Sequence, residues 1–183
     1  MTQRLWSGKG DDGTSGLLYG GREPKSSPRF AAVGAVDEAQ AFVGLARAEA
    51  REAGGHEDLD AVLTTVARDL WVLNAELATA DANRSKLEPG VSSVSAEMLA
   101  ALEAAITDVA ARFELPKEFV VPGQDRGSAL LDVARTVVRR AERCAAEVAP
   151  EGSLAIPYLN RLSTLLWTLA RWVEGAPLRS RDA

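Results

Sequence analysis

The chain has 183 residues, is 46% hydrophobic and carries 21 basic against 26 acidic groups, for a net charge of −5. That is enough apolar material for one core without disulfide or metal staples, so a single domain is expected. The negative balance excludes general nucleic-acid binding, which depends on neutralising many phosphates, and no apolar stretch approaches the roughly 20 residues of a membrane-spanning helix.

No N-terminal run resembles a signal peptide, and the single Cys144 has no partner for an intrachain disulfide, so the expected setting is a reducing, cytoplasmic one. Residues 1–29 are rich in Gly, Ser, Asp and Pro without sustained apolar periodicity. They predict a loop-like arm ahead of a helical body over 30–183. From Phe30 to Ala53 the composition is alanine-rich and helix-forming, and Gly54-Gly55 supply a stop. Leu59, Leu63, Val66, Leu70, Leu73 and Leu77 then alternate in steps of four and three, the spacing of a long helix with one buried face. After Pro89-Gly90, Ser95 is placed to cap a helix carrying Leu99, Leu102, Ile106, Val109 and Phe113, with Pro116 as its end.

Phe119-Val120-Val121-Pro122-Gly123 reads as a short extended piece and a turn. The next helix carries an apolar seam, Leu130, Ala134, Val137, Ala141, Cys144 and Val148, beside a polar stripe of Ser128, Asp132, Arg135, Arg139 and Glu142; Pro150 and Gly152 close it. A last helix follows Leu159, Leu162, Leu166, Leu169 and Val173 and ends near Gly175. Five helices, four of them with heptad spacing, and no convincing β-strand series predict an all-α, five-helix antiparallel bundle.

Arg135, Arg139, Arg140 and Arg143 set four guanidinium groups within three turns, with Glu142 among them, and such a concentration calls for an anion. The ordinary alternative is a surface helix laced with i,i+4 charge pairs. In the arm, Ser7-Gly8-Lys9-Gly10-Asp11-Asp12-Gly13-Thr14-Ser15-Gly16, followed by Lys25, combines flexible backbone, hydroxyls and ammonium groups suited to phosphate, although it is not a P-loop. Asn160, Ser163, Trp167 and Arg171 share one flank of the last helix, where an amide can serve a nucleotide or a neighbouring helix. His56 stands in a glycine turn without a pocket or spaced ligands, so neither a zinc site nor a Ser/His/Asp hydrolase is expected. Trp6, Trp71, Trp167 and Trp172 read as packing or rim residues.

Blocks in the same order along nearly the whole chain resemble the PduO-type ATP:corrinoid adenosyltransferases. These are Gly10-Asp11-Asp12-Gly13-Thr14-Ser15 with Pro24-Lys25 and Pro28-Arg29; Gly34-Ala35-Val36-Asp37-Glu38; Phe119 to Gly123; Arg135 with Arg139-Arg140-Ala141-Glu142-Arg143; and Leu159-Asn160-Arg161-Leu162-Ser163. The resemblance implies a ferritin-like five-helix bundle that forms a homotrimer, transfers the 5′-deoxyadenosyl group of ATP to a Co(I) corrinoid (cobalamin) with Mg²⁺ on the phosphates, and has no metal site in the protein. It implies that Ser7, Gly8, Lys9, Gly10, Ser15, Gly16 and Lys25 line the triphosphate and that Arg139, Arg140, Glu142, Arg143 and Asn160 complete the nucleotide site. It further implies that Asp37 pairs with Arg135 across a subunit interface, and that Phe119 faces the corrinoid and displaces its lower ligand. A reductase and an adenosylcobalamin-dependent acceptor enzyme are the implied protein partners. Lys9, Ala35, Ala39-Gln40, Gln124-Asp125, Thr164 and Trp167 depart from the family pattern. The alternatives are a non-catalytic trimeric bundle that carries or senses nucleotide or corrinoid, and a helical interaction module indifferent to anions.

Overall fold

The computed structural model describes residues 6–54 and 57–182. Among them five α-helices form the body: α1 (Pro28–Ala53), α2 (Glu57–Leu77), α3 (Ala96–Ala110), α4 (Arg126–Ala145) and α5 (Ala155–Glu174), with a 3-10 turn at Asp81–Lys86. His56 and Gly55, read above as a turn, lie outside the described residues. Three helix starts, those of α1, α3 and α4, have a local cause. Ser27 Oγ accepts from the Phe30 N–H at 3.3 Å with Pro28 in the first turn of α1, Ser95 Oγ accepts from Met98 N–H at 3.3 Å, and Asp125 Oδ1 accepts from Ser128 N–H at 2.8 Å. These satisfy backbone donors that the first helical turn leaves free.

Polar contacts between helices fix their directions. Arg126 meets Glu49 at 3.1 Å and Arg140 meets Glu38, so α4 runs antiparallel to α1. Arg47 meets Asp60 at 2.6 Å and Gln40 Nε2 donates to the Ala67 carbonyl at 2.8 Å, which sets α2 antiparallel to α1. Asn160 and Arg171 of α5 reach Glu142 and Asp132 of α4, again antiparallel. Arg161 meets Glu103 at 3.2 Å and the Arg112 guanidinium lies 5.0 Å from the Trp172 ring, so α3 runs alongside α5 in the same direction. The chain therefore goes up and down through the bundle. Leucines of α2 and α5 fill the centre, while α1 contributes Ala32, Ala35, Ala39 and Ala46, whose small side chains let α4 pack closely against it.

The structure corrects the sequence reading in three places. The arm is not all loop: β1 (Thr14–Gly16) and β2 (Arg22–Pro24) pair antiparallel, with Ser15 opposite Glu23. Three-residue strands are too short for apolar periodicity to reveal. Phe113 lies past the end of α3, in a bend. On α4 the expected Ala134, Val137 and Ala141 are buried together with Leu131, Val138 and Ala145, while Leu130 and Cys144 sit at the edge of this face and Val148 lies past the helix end. Helix pattern alone marks the narrower seam, and packing against both α1 and α5 selects the wider face that also encloses Ser128 and Asp132.

Candidate active site

The arm is shaped by its own polar groups. Asp12 Oδ1 accepts from the Thr14 N–H at 2.9 Å and the Thr14 hydroxyl at 2.8 Å, and these bonds, the backbone one foremost, hold its carboxyl below the usual range. Arg22 donates to the Lys9 carbonyl at 2.6 Å and to Thr14 Oγ1, drawing the loop onto the hairpin. Lys25 lies directly over Gly10, where a Cβ would stand 3.1 Å from Nζ, so any side chain at this position would push the ammonium back from the backbone by a few tenths of an ångström. Gly13 takes φ +78° to turn the chain into β1. Ser7 Oγ accepts from Lys9 N–H at 3.3 Å, and Ser15 and Gly16 sit in β1. The hairpin tip is tied to the bundle by Leu18 N–H to Ala78 O at 2.9 Å and by the Tyr19 hydroxyl to Ser92 at 3.2 Å. Arg29 completes the tether by bonding Glu23, the Leu77 and Thr79 carbonyls, and Asp81.

On α4, Arg139 and Arg140 are exposed. Arg143 donates to the Arg139 carbonyl at 2.9 Å, Arg140 pairs with Glu38, and Glu142 accepts from Asn160 Nδ2 at 3.0 Å. Arg139, Arg135, Ser163, Thr164 and Trp167 line a groove of about 230 Å³. Arg135 and Trp167 also line a neighbouring cavity of about 780 Å³, together with Phe119, Val120, Pro122, Asp132, Arg171 and Ser180. Phe119 is 88% exposed beside that cavity. Its backbone is held by the C-terminal segment: Ser180 N–H donates to Phe119 O at 2.9 Å, Val121 N–H to Leu178 O at 2.8 Å, and Arg181 meets Glu118 at 2.9 Å.

Under the cavity lies a charged cluster that the sequence reading placed only as part of two polar stripes. Arg171 is 2% exposed; it donates to Asp132 Oδ2 at 2.7 Å and lies 2.6 Å from Glu174. Asp132 Oδ1 accepts from Arg135 Nε at 3.0 Å. Burial pushes the Glu174 carboxyl above the usual range, Arg171 opposing and Asp132 reinforcing the shift. The sequence signal was an Arg and a Glu three apart in a leucine-rich helix. The contribution of residues 178–181 had none, because strand pairing of a tail leaves no periodic mark. Asp37 is exposed on α1, and within the subunit Arg135 is partnered by Asp132.

Fold and site together define a helical bundle that offers an arginine-lined groove next to a broad cavity, with a glycine-rich hairpin tethered at its end. A family model described as "Cobalamin adenosyltransferase" matches residues 5–173. A corrinoid adenosyltransferase of Bacillus subtilis (strain 168) is 34% identical over 174 residues, covering 93% of this chain and 86% of that protein. One from Mycobacterium tuberculosis (strain H37Rv) is 39% identical over 175 residues, covering 92% and 87%. A variant PduO-type ATP:corrinoid adenosyltransferase from Lactobacillus reuteri, solved with cobalamin and ATP, superposes with a TM-score of 0.86 at 26% identity, covering 97% of this chain and 99% of that one. The chain belongs to the cobalamin adenosyltransferase family.

Proposed function

We propose that this protein transfers the 5′-deoxyadenosyl group of ATP to the cobalt of a Co(I) corrinoid, forming adenosylcobalamin and releasing triphosphate. The observation that carries the reading is the position of Arg135, which borders both the groove of Arg139 and the cavity of Phe119 and so joins an arginine-lined groove suited to phosphate to a cavity of about 780 Å³. In the reaction Co(I) supplies the electron pair that forms the Co–C5′ bond, and the C5′–O bond breaks with its pair leaving on triphosphate. No side-chain nucleophile or base is required. The protein's task is to align C5′ with cobalt and to stabilise the departing charge.

Ser7, Gly8, Lys9, Gly10, Ser15, Gly16 and Lys25 supply backbone and ammonium donors for the triphosphate, and Arg139, Arg140, Arg143, Glu142 and Asn160 hold the nucleotide from the bundle side. Among the described residues no group of three His, Cys, Asp or Glu could hold a metal ion. Mg²⁺ bound with ATP would neutralise charge on the leaving triphosphate. Phe119, its backbone tied to the C-terminal segment and its ring beside the cavity, would take the place of the lower ligand of the corrinoid substrate and so favour its reduction to Co(I).

A homotrimer fits these features, with the arm of one subunit meeting the arginine helix of the next and Asp37 pairing with Arg135 across the interface. Exposed Leu45 on α1 and Val133 on α4, at the same level of adjacent helices, supply apolar surface for such a contact. A reducing cytoplasm suits free Cys144 and a Co(I) substrate, which a reductase must generate and an adenosylcobalamin-dependent enzyme would consume. Anaerobic incubation with Co(I) corrinoid and MgATP should bleach the Co(I) absorption band and release triphosphate in equal amount. Binding of both substrates without turnover would make the protein a carrier instead.

A further inference from the structure

The reaction as described leaves Asp132, Arg171 and Glu174, beneath the large cavity, without a task. A guanidinium enclosed between leucine-lined helices is costly unless it is fully paired, and Arg171 has two carboxylates, Asp132 and Glu174, within reach. Asp132, itself 7% exposed, does not give both oxygens to it. Oδ2 accepts from Arg171 at 2.7 Å, while Oδ1 accepts from Arg135 Nε at 3.0 Å. The split ties a partly exposed arginine to the interior of the bundle. It also grips that arginine side-on, so its two terminal nitrogens remain as donors toward a group outside the chain.

We propose that Asp132 is a positioning residue: anchored from within by Arg171, it fixes the Arg135 guanidinium at the junction of the Phe119 cavity and the Arg139 groove. The inference rests on the adenosyltransferase reading and adds to it where the restraint comes from. An arginine side chain otherwise samples many rotamers, and a site that must align two substrates gains when that freedom is removed before binding. Arg171 thus acts two steps from the substrates, through Asp132 and then Arg135.

The test is a pair of double-mutant cycles on the full chain. Asp132→Asn keeps the shape and removes the charge; Arg171→Lys keeps the buried charge and removes the fork. Each single variant should lower kcat/KM for the corrinoid by about tenfold or more, leave ATP affinity within about twofold, and add less than about twofold when combined with Arg135→Ala. In the substrate-free protein, nitrogen NMR of the arginine side chains should reveal an exchange-protected Nε–H that vanishes in Arg135→Ala and in Asp132→Asn. Losses that multiply on the Arg135→Ala background, or an Arg135 Nε–H that exchanges as fast in wild type as in Asp132→Asn, would overturn the assignment. If Asp132→Asn does not fold by circular dichroism, the Arg171→Lys cycle and the wild-type exchange rate decide by the same criteria. A wild type that binds but never adenosylates corrinoid defeats the functional reading alone, since the exchange measurement needs no substrate.

Discussion

The two halves of α4 carry charges of similar kind in opposite surroundings. In the second half, Arg139, Arg140 and Arg143 face solvent, and their contacts are with a backbone carbonyl and an exposed Glu38. In the first half, Asp132 is buried and locked to Arg171 and Arg135. Exposed pairs are worth at most about 1 kcal/mol, so a ligand can replace them cheaply, whereas a buried pair cannot open without leaving a bare charge in the core. One half of the helix is thereby suited to exchange partners and the other to hold geometry.

The comparison is broken most sharply at Arg171. Arg171→Ala should lose about 3–5 kcal/mol of folding stability by stranding Asp132 and Glu174, read as a fall in the denaturant midpoint. Arg139→Ala should do the reverse: stability within about 0.5 kcal/mol of wild type, but ATP affinity weakened by about tenfold or more, the value of one charge-assisted hydrogen bond to phosphate. Calorimetry with MgATP and denaturation of the same sample distinguish the two. If Arg139→Ala destabilises as much as Arg171→Ala, the division of the helix is wrong.

Smaller effects sharpen the same contrast between paired and unpaired groups. Ser27→Ala removes the cap that starts α1 beside the arm and should cost about 1 kcal/mol, measured by thermal unfolding. Asp69 offers the smallest change. Burial pushes its carboxyl above the usual range despite the Tyr158 hydroxyl donating to it at 2.8 Å. The folded state therefore takes up a proton more readily than the unfolded one, so this contribution favours folding at acid pH and is lost as pH rises through the unfolded and then the raised folded value. Asp69→Asn should raise the melting temperature at neutral pH, and the gain should disappear below the ordinary carboxylate range. A gain that persists there would assign the effect to packing.

The helices of the body were legible because heptad spacing and caps act over a few residues: the leucines of α2 and α5 and the Ser95 cap all sit where those short-range rules put them. The glycines and lysines of the arm and the arginines of α4 were legible as chemistry for the same reason, since residue type alone states what charge or backbone freedom a position can offer. What each group faces was decided by tertiary structure. How wide a face of α4 is buried depended on α1 and α5 both closing on it. The arm hairpin and the pairing of residues 178–181 with Phe119 came from strand contacts between segments without periodicity. The sharing of Asp132 between Arg171 and Arg135 depended on antiparallel packing that brings positions 39 residues apart within 2.7 Å. Local rules determine elements and their chemical capacity, whereas burial, which sets the cost of every unpaired charge, exists only once the helices are packed.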